Sequence, residues 1–275
     1  MRVRPLTILL IALVAGALAW LALNRGGSTP ARPVGMTETP CTAGGVPVTQ
    51  VAGHDWPGLC YYRAQNAELR KSGQRPRVVL IGDSITQAWP NLDQPAGSFV
   101  GRGIPGQTSG QVLLRFRQDA ADLRPQVIHL LVGINDVSGV TGPNAPDMYQ
   151  ANILAMLDMA QVAGIPVVIG TIPPAKDFYW QPDLKPGPWV PLLNDWIRRT
   201  AAERGLVVAD YYAVLANSDG SIRAPLYKDG AHPGAAGYAA MQPVLDAALA
   251  RALDGALDGA LSRPVGAAAP AGDGS

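Results

Sequence analysis

The sequence predicts an α/β domain, a parallel sheet with helices on both faces. From about Trp56 to about Leu253, short apolar runs alternate with segments of helical periodicity. The run Val127-Ile128-His129-Leu130-Leu131-Val132 is almost continuously apolar, as a strand covered on both faces should be. Alternation of this kind implies βαβ units with right-handed crossovers, and one domain accommodates all of it.

Arg77–Ile81 is the first strand. It ends in the tight turn Gly82-Asp83-Ser84-Ile85-Thr86, where a helix should begin. Ser98–Val100 is a short second strand. Gln111–Asp122 reads as a helix with Leu113, Phe116 and Ala120 on one face. Val127–Val132 is the third strand. Asp147–Ala163 is a helix with Ile153, Met156, Leu157 and Ala160 at helical spacing, stopped by Gly164. Pro166–Ile172 is the fourth strand. A helix over Pro191–Arg204 ends at Gly205, and Leu206–Ala209 is the fifth strand. Gly234–Ala252 closes the domain as a helix, with Pro243 a kink or a late start.

The flanks differ in character. Arg2 and Arg4 precede an uncharged run of about 18 residues, 6–23, either a signal peptide with Ala17-Leu18-Ala19 as its cleavage site or an uncleaved membrane anchor. Both readings place the body outside the cytoplasm, periplasmic, secreted or tethered to the membrane's outer face. Residues 24–47, rich in Gly, Pro, Ser and Thr, read as a linker, residues 48–253 as the folded domain and 254–275 as a flexible tail. Cys41 and Cys60 are the only cysteines, and export predicts a bridge between them. Closing that loop is worth about 3 kcal/mol in the chain-entropy account.

Composition excludes several classes. The chain is 48% hydrophobic and 16% charged, with a formal net charge of +1. Nothing in that balance attracts nucleic acid. Two cysteines and three histidines leave little for a dedicated metal site, and no cofactor is expected.

Chemistry-bearing residues gather at strand ends. Ser84 lies at the C-terminal edge of the first strand, where open α/β folds place their ligands. It is either a nucleophile or a helix cap. A nucleophilic serine needs a base, and elimination selects one. His54 precedes the core, and His129 lies in mid-strand. His232 lies in Asp229-Gly230-Ala231-His232-Pro233, a loop after the fifth strand on the same edge as Ser84. Asp229, three residues earlier, can bind Nδ1 and leave Nε2 facing the serine. Taken singly, the pair could equally be a turn with a capping role. Gly106, in the loop after the second strand, and Asn135, after the third, are candidate donors to an oxyanion.

Together these segments resemble the sequence blocks of the SGNH (GDSL-type) hydrolases. Gly82–Thr86 is similar to the nucleophile block, Gly103–Gln107 to the glycine block, Gly133–Asp136 to the asparagine block and Asp229–His232 to the terminal Asp-x-x-His block. Order and spacing match over about Trp56 to Leu249. Arg102–Phe116 and Asp229–Tyr238 resemble the bacterial secreted lysophospholipase-like and acetylesterase-like members. Pro105 departs from the small residue expected before Gly106.

The resemblance implies a three-layer flavodoxin-like fold with a five-stranded parallel sheet. It implies a serine esterase with Ser84 as nucleophile, His232 as base, Asp229 as its orienting acid, and an oxyanion hole from Ser84, Gly106 and Asn135. Trp89 and Trp180 are candidate walls of a substrate pocket, Trp180 with Phe178 and Tyr179 in the loop 173–188. The expected substrate is a short-acyl ester, with acetylated carbohydrate in view. Lysophospholipase or thioesterase chemistry is the alternative, and a non-catalytic envelope-binding module the reading from a different class. No Gly-x-Ser-x-Gly elbow surrounds Ser84, which disfavours the α/β-hydrolase fold.

Overall fold

A computed structural model describes residues 41–43, 46–47, 55–90, 98–142 and 144–261. The apolar run 6–23, His54 and residues 262–275 lie outside the described residues. Among the described residues, no helix is long and apolar enough to cross a membrane. The chain divides into two units, Met1–Gln50 and Val51–Ser275. In the first, within the stretch read as linker, Thr42–Ala43 pairs antiparallel with Val46–Pro47. Both cysteines are disulfide-bonded.

The second unit is built on five parallel strands: β1 (Val78–Gly82), β2 (Phe99–Gly103), β3 (Val127–Leu131), β4 (Val167–Gly170) and β5 (Val207–Ala209). Their order across the sheet is β2-β1-β3-β4-β5. This is the flavodoxin-like order, with its reversal between β1 and β3, and ligands of such sheets bind outside the strand C-termini at that reversal. All of β1 and β3 is buried, which is why both segments are almost wholly apolar.

Eight α-helices are described in this unit: α1 (Arg63–Ser72), α2 (Ser84–Gln87), α3 (Ser109–Asp119), α4 (Ile134–Ser138), α5 (Pro146–Val162), α6 (Trp189–Arg204), α7 (Tyr211–Leu215) and α8 (Ala235–Leu261). Helix α3 packs on β1 and against α5, while α8 packs on β3, β4 and β5. Right-handed crossovers put the two groups on opposite faces. The Thr108–Gln111 capping box starts α3, with Thr108 N–H donating to Gln111 Oε1 at 3.1 Å. Pro146 occupies the first turn of α5, where its missing N–H costs nothing. Helix α8 contains Pro243 and continues to Leu261, past the boundary expected at 253.

Two features were not expected from the sequence. Helix α1 buries only Asn66, so it carries no apolar stripe to announce it. Asn66 instead donates to Asp119 Oδ1 at 2.6 Å and accepts from Arg102 Nε at 2.8 Å. Strand β2 runs on through Gly101, Arg102 and Gly103, poor strand formers by composition. Neighbouring groups account for them. The Arg102 guanidinium lies 4.7 Å from the centre of the Tyr62 ring, and a Cβ at Gly103 would strike Gln87 N and Asp83 O.

The β1–α2 junction is equally tight. A Cβ on Gly82 would overlap the Leu131 carbonyl oxygen on β3 and Thr86 Oγ1. Asp83 caps α2, its Oδ1 accepting from Ile85 N–H at 2.9 Å. Burial pushes the Asp83 carboxyl from an ordinary 3.8 up to about 7. The Ile85 N–H opposes the rise, and the Asp136 charge adds to it.

Gly82→Ala should therefore cost about 1–3 kcal/mol through overpacking, read as a lower denaturant midpoint in chemical unfolding; an unchanged midpoint would refute the tight fit. Asp83 supports a pH experiment. A carboxyl raised in the folded state keeps a proton that the unfolded chain releases, so its contribution to stability falls as pH rises from about 4 to about 7. Asp83→Asn keeps a capping side chain and removes that slope. Its stability relative to wild type should increase between about pH 5 and about pH 8. A difference that stays flat over that range would contradict the assignment.

Candidate active site

Ser84 is the first residue of α2 and is partly exposed at the C-terminal end of β1. Its position follows from Asp83, whose extended backbone and capping carboxylate turn the chain abruptly from strand to helix.

His232 reaches Ser84 from the loop before α8. That loop is folded back on itself. Lys228 N–H donates to His232 O at 3.0 Å, Gly234 N–H to Leu226 O at 2.8 Å, and Tyr227 bridges Pro233. Ser84 Oγ lies 3.0 Å from His232 Nε2. On the other side of the ring, Nδ1 is 3.0 Å from Asp229 Oδ2 and 3.1 Å from Oδ1. An ionised carboxylate only accepts, so Nδ1 carries the proton and the Nε2 lone pair faces the hydroxyl.

Asp229 is held as an anion. Partial burial pushes its carboxyl up, but the backbone N–H groups of Ala231 (2.9 Å) and His232 (2.7 Å), together with the imidazole, outweigh burial and leave it below the usual range. The Asp-x-x-His spacing makes this possible, since one turn brings both N–H groups onto Oδ1.

Gly106 lies in the turn Ile104-Pro105-Gly106-Gln107. Gln107 N–H returns to Ile104 O at 3.4 Å, and Gly106 has φ +75°. Pro followed by a left-handed Gly is the pattern of a type II turn. Pro105, the residue that departs from expectation, thus presets the turn that carries Gly106. Ile104 N–H donates to Gly82 O at 3.1 Å, tying the turn to the end of β1.

Asn135 is buried in α4 and donates from Nδ2 to Gln107 O at 3.0 Å. A primary amide has two N–H donors, so one remains. The next residue, Asp136, accepts from Ser109 N–H at 2.9 Å, from the Ser109 hydroxyl and from Asn144 Nδ2 at 2.7 Å. It locks α4 to the start of α3. Burial pushes its carboxyl up against the pull of these donors.

The two tryptophans separate. The ring centre of Trp180 is 5.6 Å from that of His232, and its indole N–H donates to Ser138 Oγ at 3.3 Å. Tyr179 is 71% exposed, its ring 6.3 Å from His232. Trp89 corrects the sequence reading. It is 4% exposed, its rings packed among Tyr211, Tyr238 and His129, with its N–H on Gln242 Oε1 at 2.8 Å. It is a core residue rather than a pocket wall.

Sequence reasoning missed the support behind these groups. Arg115 and Gln107 are both buried and bond to one another, Arg115 Nε to Gln107 Oε1 at 2.6 Å. The sequence reading sets Arg115 largely off the apolar face of its helix; the structure buries it completely, its charge met by Asp119 at 3.2 Å.

Chemically, the Ser84–His232–Asp229 chain can relieve a hydroxyl of its proton while the resulting imidazolium stays paired. Comparison with known proteins identifies the family. The model of the GDSL-like lipase/acylhydrolase family matches residues 80–240. Among solved structures, a GDSL-like lipase from Bacteroides thetaiotaomicron VPI-5482 is 30% identical, with 72% of this chain and 99% of that chain covered and a TM-score of 0.66. A Bacteroides fragilis NCTC 9343 protein assigned as an acylhydrolase is 33% identical, with 72% and 98% covered and a TM-score of 0.66. An acetyl xylan esterase, AlAXEase, is 21% identical, with 62% and 98% covered and a TM-score of 0.53, a likeness of fold. No curated protein sequence matches. With the family's model spanning most of the sheet and the residues at its C-terminal edge, this chain belongs to the GDSL-like lipase/acylhydrolase family.

Proposed function

We propose that this protein hydrolyses carboxylic esters through an acyl-enzyme on Ser84, with a preference for short acyl groups. The observation that carries the reading is the continuous hydrogen-bonded chain Ser84 Oγ, His232 Nε2, His232 Nδ1, Asp229.

In acylation, Ser84 Oγ attacks the ester carbonyl as its proton passes to His232 Nε2. The tetrahedral intermediate then collapses, the C–O bond to the alcohol breaks, and the imidazolium returns the proton to that alcohol. In deacylation, water repeats the sequence: His232 takes its proton, the Ser84 ester bond breaks, and Ser84 leaves with the proton. Asp229 holds the tautomer and the charge. The N–H groups of Ser84 and Gly106 and the free N–H of the Asn135 amide receive the oxyanion.

The preference for small acyl groups and a sugar-like alcohol rests on the aromatic segment beside His232. Trp180 is anchored to α4 through Ser138, and Tyr179 offers an exposed face. Such rings can stack on a pyranose. The acetyl xylan esterase shares the fold alone and supports no more than that.

Ser84→Ala and His232→Ala should each lower kcat for p-nitrophenyl acetate by about 10³-fold or more, and Asp229→Asn by about 10²–10⁴-fold. Activity in Ser84→Ala equal to wild type would sink the mechanism. Across p-nitrophenyl esters from acetyl to palmitoyl, kcat/KM should fall as the chain lengthens. Trp180→Ala should raise KM for acetylated xylo-oligosaccharides more than for p-nitrophenyl acetate. A kcat/KM that climbs with chain length would favour a lysophospholipase and overturn the short-acyl preference.

A further inference from the structure

Every polar group of the residue that follows Gly106 is hydrogen-bonded. Gln107 is 3% exposed. Its backbone N–H closes the turn onto Ile104 O, and its backbone carbonyl accepts the Asn135 amide at 3.0 Å. Its side-chain Oε1 accepts from Arg115 Nε at 2.6 Å, and its Nε2 donates to Pro57 O at 2.8 Å. One residue therefore touches the turn carrying Gly106 and the side chain of Asn135. These two are the oxyanion donors that lie outside the nucleophile's own backbone in the reading above.

We propose that Gln107 is a positioning residue for the oxyanion hole, and the proposal rests on that reading. Oxyanion donors stabilise charge only when held within about half an ångström of the developing anion. A type II turn fixes its own backbone, and the Ile104 N–H ties its first residue to Gly82 O at 3.1 Å. Gln107 ties its last residue through Arg115. The same guanidinium donates to Gly82 O at 2.8 Å and to Arg102 O at 2.8 Å. Gly82 lies two residues before Ser84, so the turn is referenced to the strand that carries the proposed nucleophile.

The other half of the clamp is the segment before α1. Asp55 accepts the N–H groups of Leu59 (2.7 Å) and Cys60 (2.8 Å), fixing a loop whose Pro57 carbonyl meets Gln107. Gly58, at φ +74°, lies so close that a Cβ there would stand 2.8 Å from Gln107 Nε2 and 2.9 Å from Ile104 Cδ1. At the other end of the amide, Oε1 meets Arg115, which has no exposed surface. The planar amide is held at both of its polar ends, as precise placement of a backbone requires.

The test uses the full-length protein at a temperature well below its unfolding transition. Gln107→Met keeps the length of the side chain and removes both bonds. Gln107→Glu keeps the acceptor for Arg115 and loses the donor to Pro57. The probes are p-nitrophenyl acetate for kcat and KM, and an alkyl boronic acid, whose tetrahedral serine adduct places an oxygen in the oxyanion hole. Losing one donor outright costs about 10²–10³ in kcat, so misplacing the donors in Gln107→Met should cost about 10–100-fold. KM should stay within about threefold, and boronate affinity should weaken by about the same factor as kcat. Gln107→Glu should recover part of both losses. A kcat and boronate affinity equal to wild type in folded Gln107→Met, with only a lower melting temperature, would show a purely structural role and overturn the proposal. So would Gln107→Glu falling below Gln107→Met, which keeps the test open should the methionine variant fold poorly. Failure of the underlying reading has a separate signature: Ser84→Ala would then hydrolyse the ester as wild type does, whatever the Gln107 variants show.

Discussion

The Arg115 guanidinium is buried without exposed surface, and the geometry of the C-terminal sheet edge depends on where it points. It joins the last residue of β1, the carbonyl of Arg102 on β2 and the amide of Gln107. The counter-charge comes from Asp119 one helical turn on, at 3.2 Å. Burial pulls the guanidinium down and pushes the Asp119 carboxyl up, each opposed by the other's charge. Such a pair adds little net stability over an apolar replacement, whereas removing one partner strands the other at about 3–5 kcal/mol. Its value lies in direction. A planar fork with fixed N–H vectors can bind two backbone carbonyls and a side-chain amide at set angles, which a lysine could not. The glycines at the same edge answer to other neighbours: a Cβ at Gly82 would meet Leu131 O and Thr86 Oγ1, and one at Gly103 would meet Gln87 N and Asp83 O.

Two aspartates near Ser84 show how environment divides labour between identical side chains. Asp83 adjoins the serine in sequence, but it is sealed from water, caps α2, and is pushed up to about 7 with Asp136 adding to the rise. Asp229 is distant in sequence, yet two backbone N–H groups and the imidazole hold it below the usual carboxylate range. An acid that must stabilise a transient imidazolium has to be ionised before the reaction begins. Asp229 meets that condition at neutral pH, and Asp83 is near its midpoint there. Hydrogen bonding agrees, since it is Asp229 that binds the His232 ring. Environments that push paired groups apart are a general way of assigning roles in a site.

Strands β1, β3 and β4 were legible in the sequence because they are buried throughout and therefore almost purely apolar. The serine, histidine and aspartate were legible because a chain with three histidines offers few bases, and only His232 follows the last strand with an aspartate one turn away. What escaped was held by polar contacts between distant segments. Helix α1 leaves no periodic trace because its one buried residue is Asn66. The end of β2 looked like loop because its stability comes from Tyr62 and Asn66, some forty residues earlier. Gln107 looked like an ordinary loop residue, since its partners Pro57, Arg115 and Asn135 come from three separate segments. Local pattern reports burial, and it is blind to which polar groups burial will pair.

Trp89 and Trp180 extend that point to the substrate. Both follow strand ends, and sequence alone gave no reason to part them. Trp89 comes just after α2 and is drawn into the layer between the sheet and α8, where Tyr211, Tyr238 and His129 surround it. Trp180 follows β4 on a segment that is only partly absorbed. Phe178 is fully buried and fixes the segment's depth, Trp180 is tied by its N–H to Ser138 on α4, and Tyr179 between them projects into solvent. An aromatic ring held at one end by the core and at the other by the helix that carries Asn135 has little freedom left to lose on binding. That favours recognition by rigid surfaces over recognition by closure. On the proposed function, tasks separate along one sheet edge: buried polar bonds set the geometry around Ser84, and an anchored aromatic segment with the exposed Tyr179 ring would lie against the substrate.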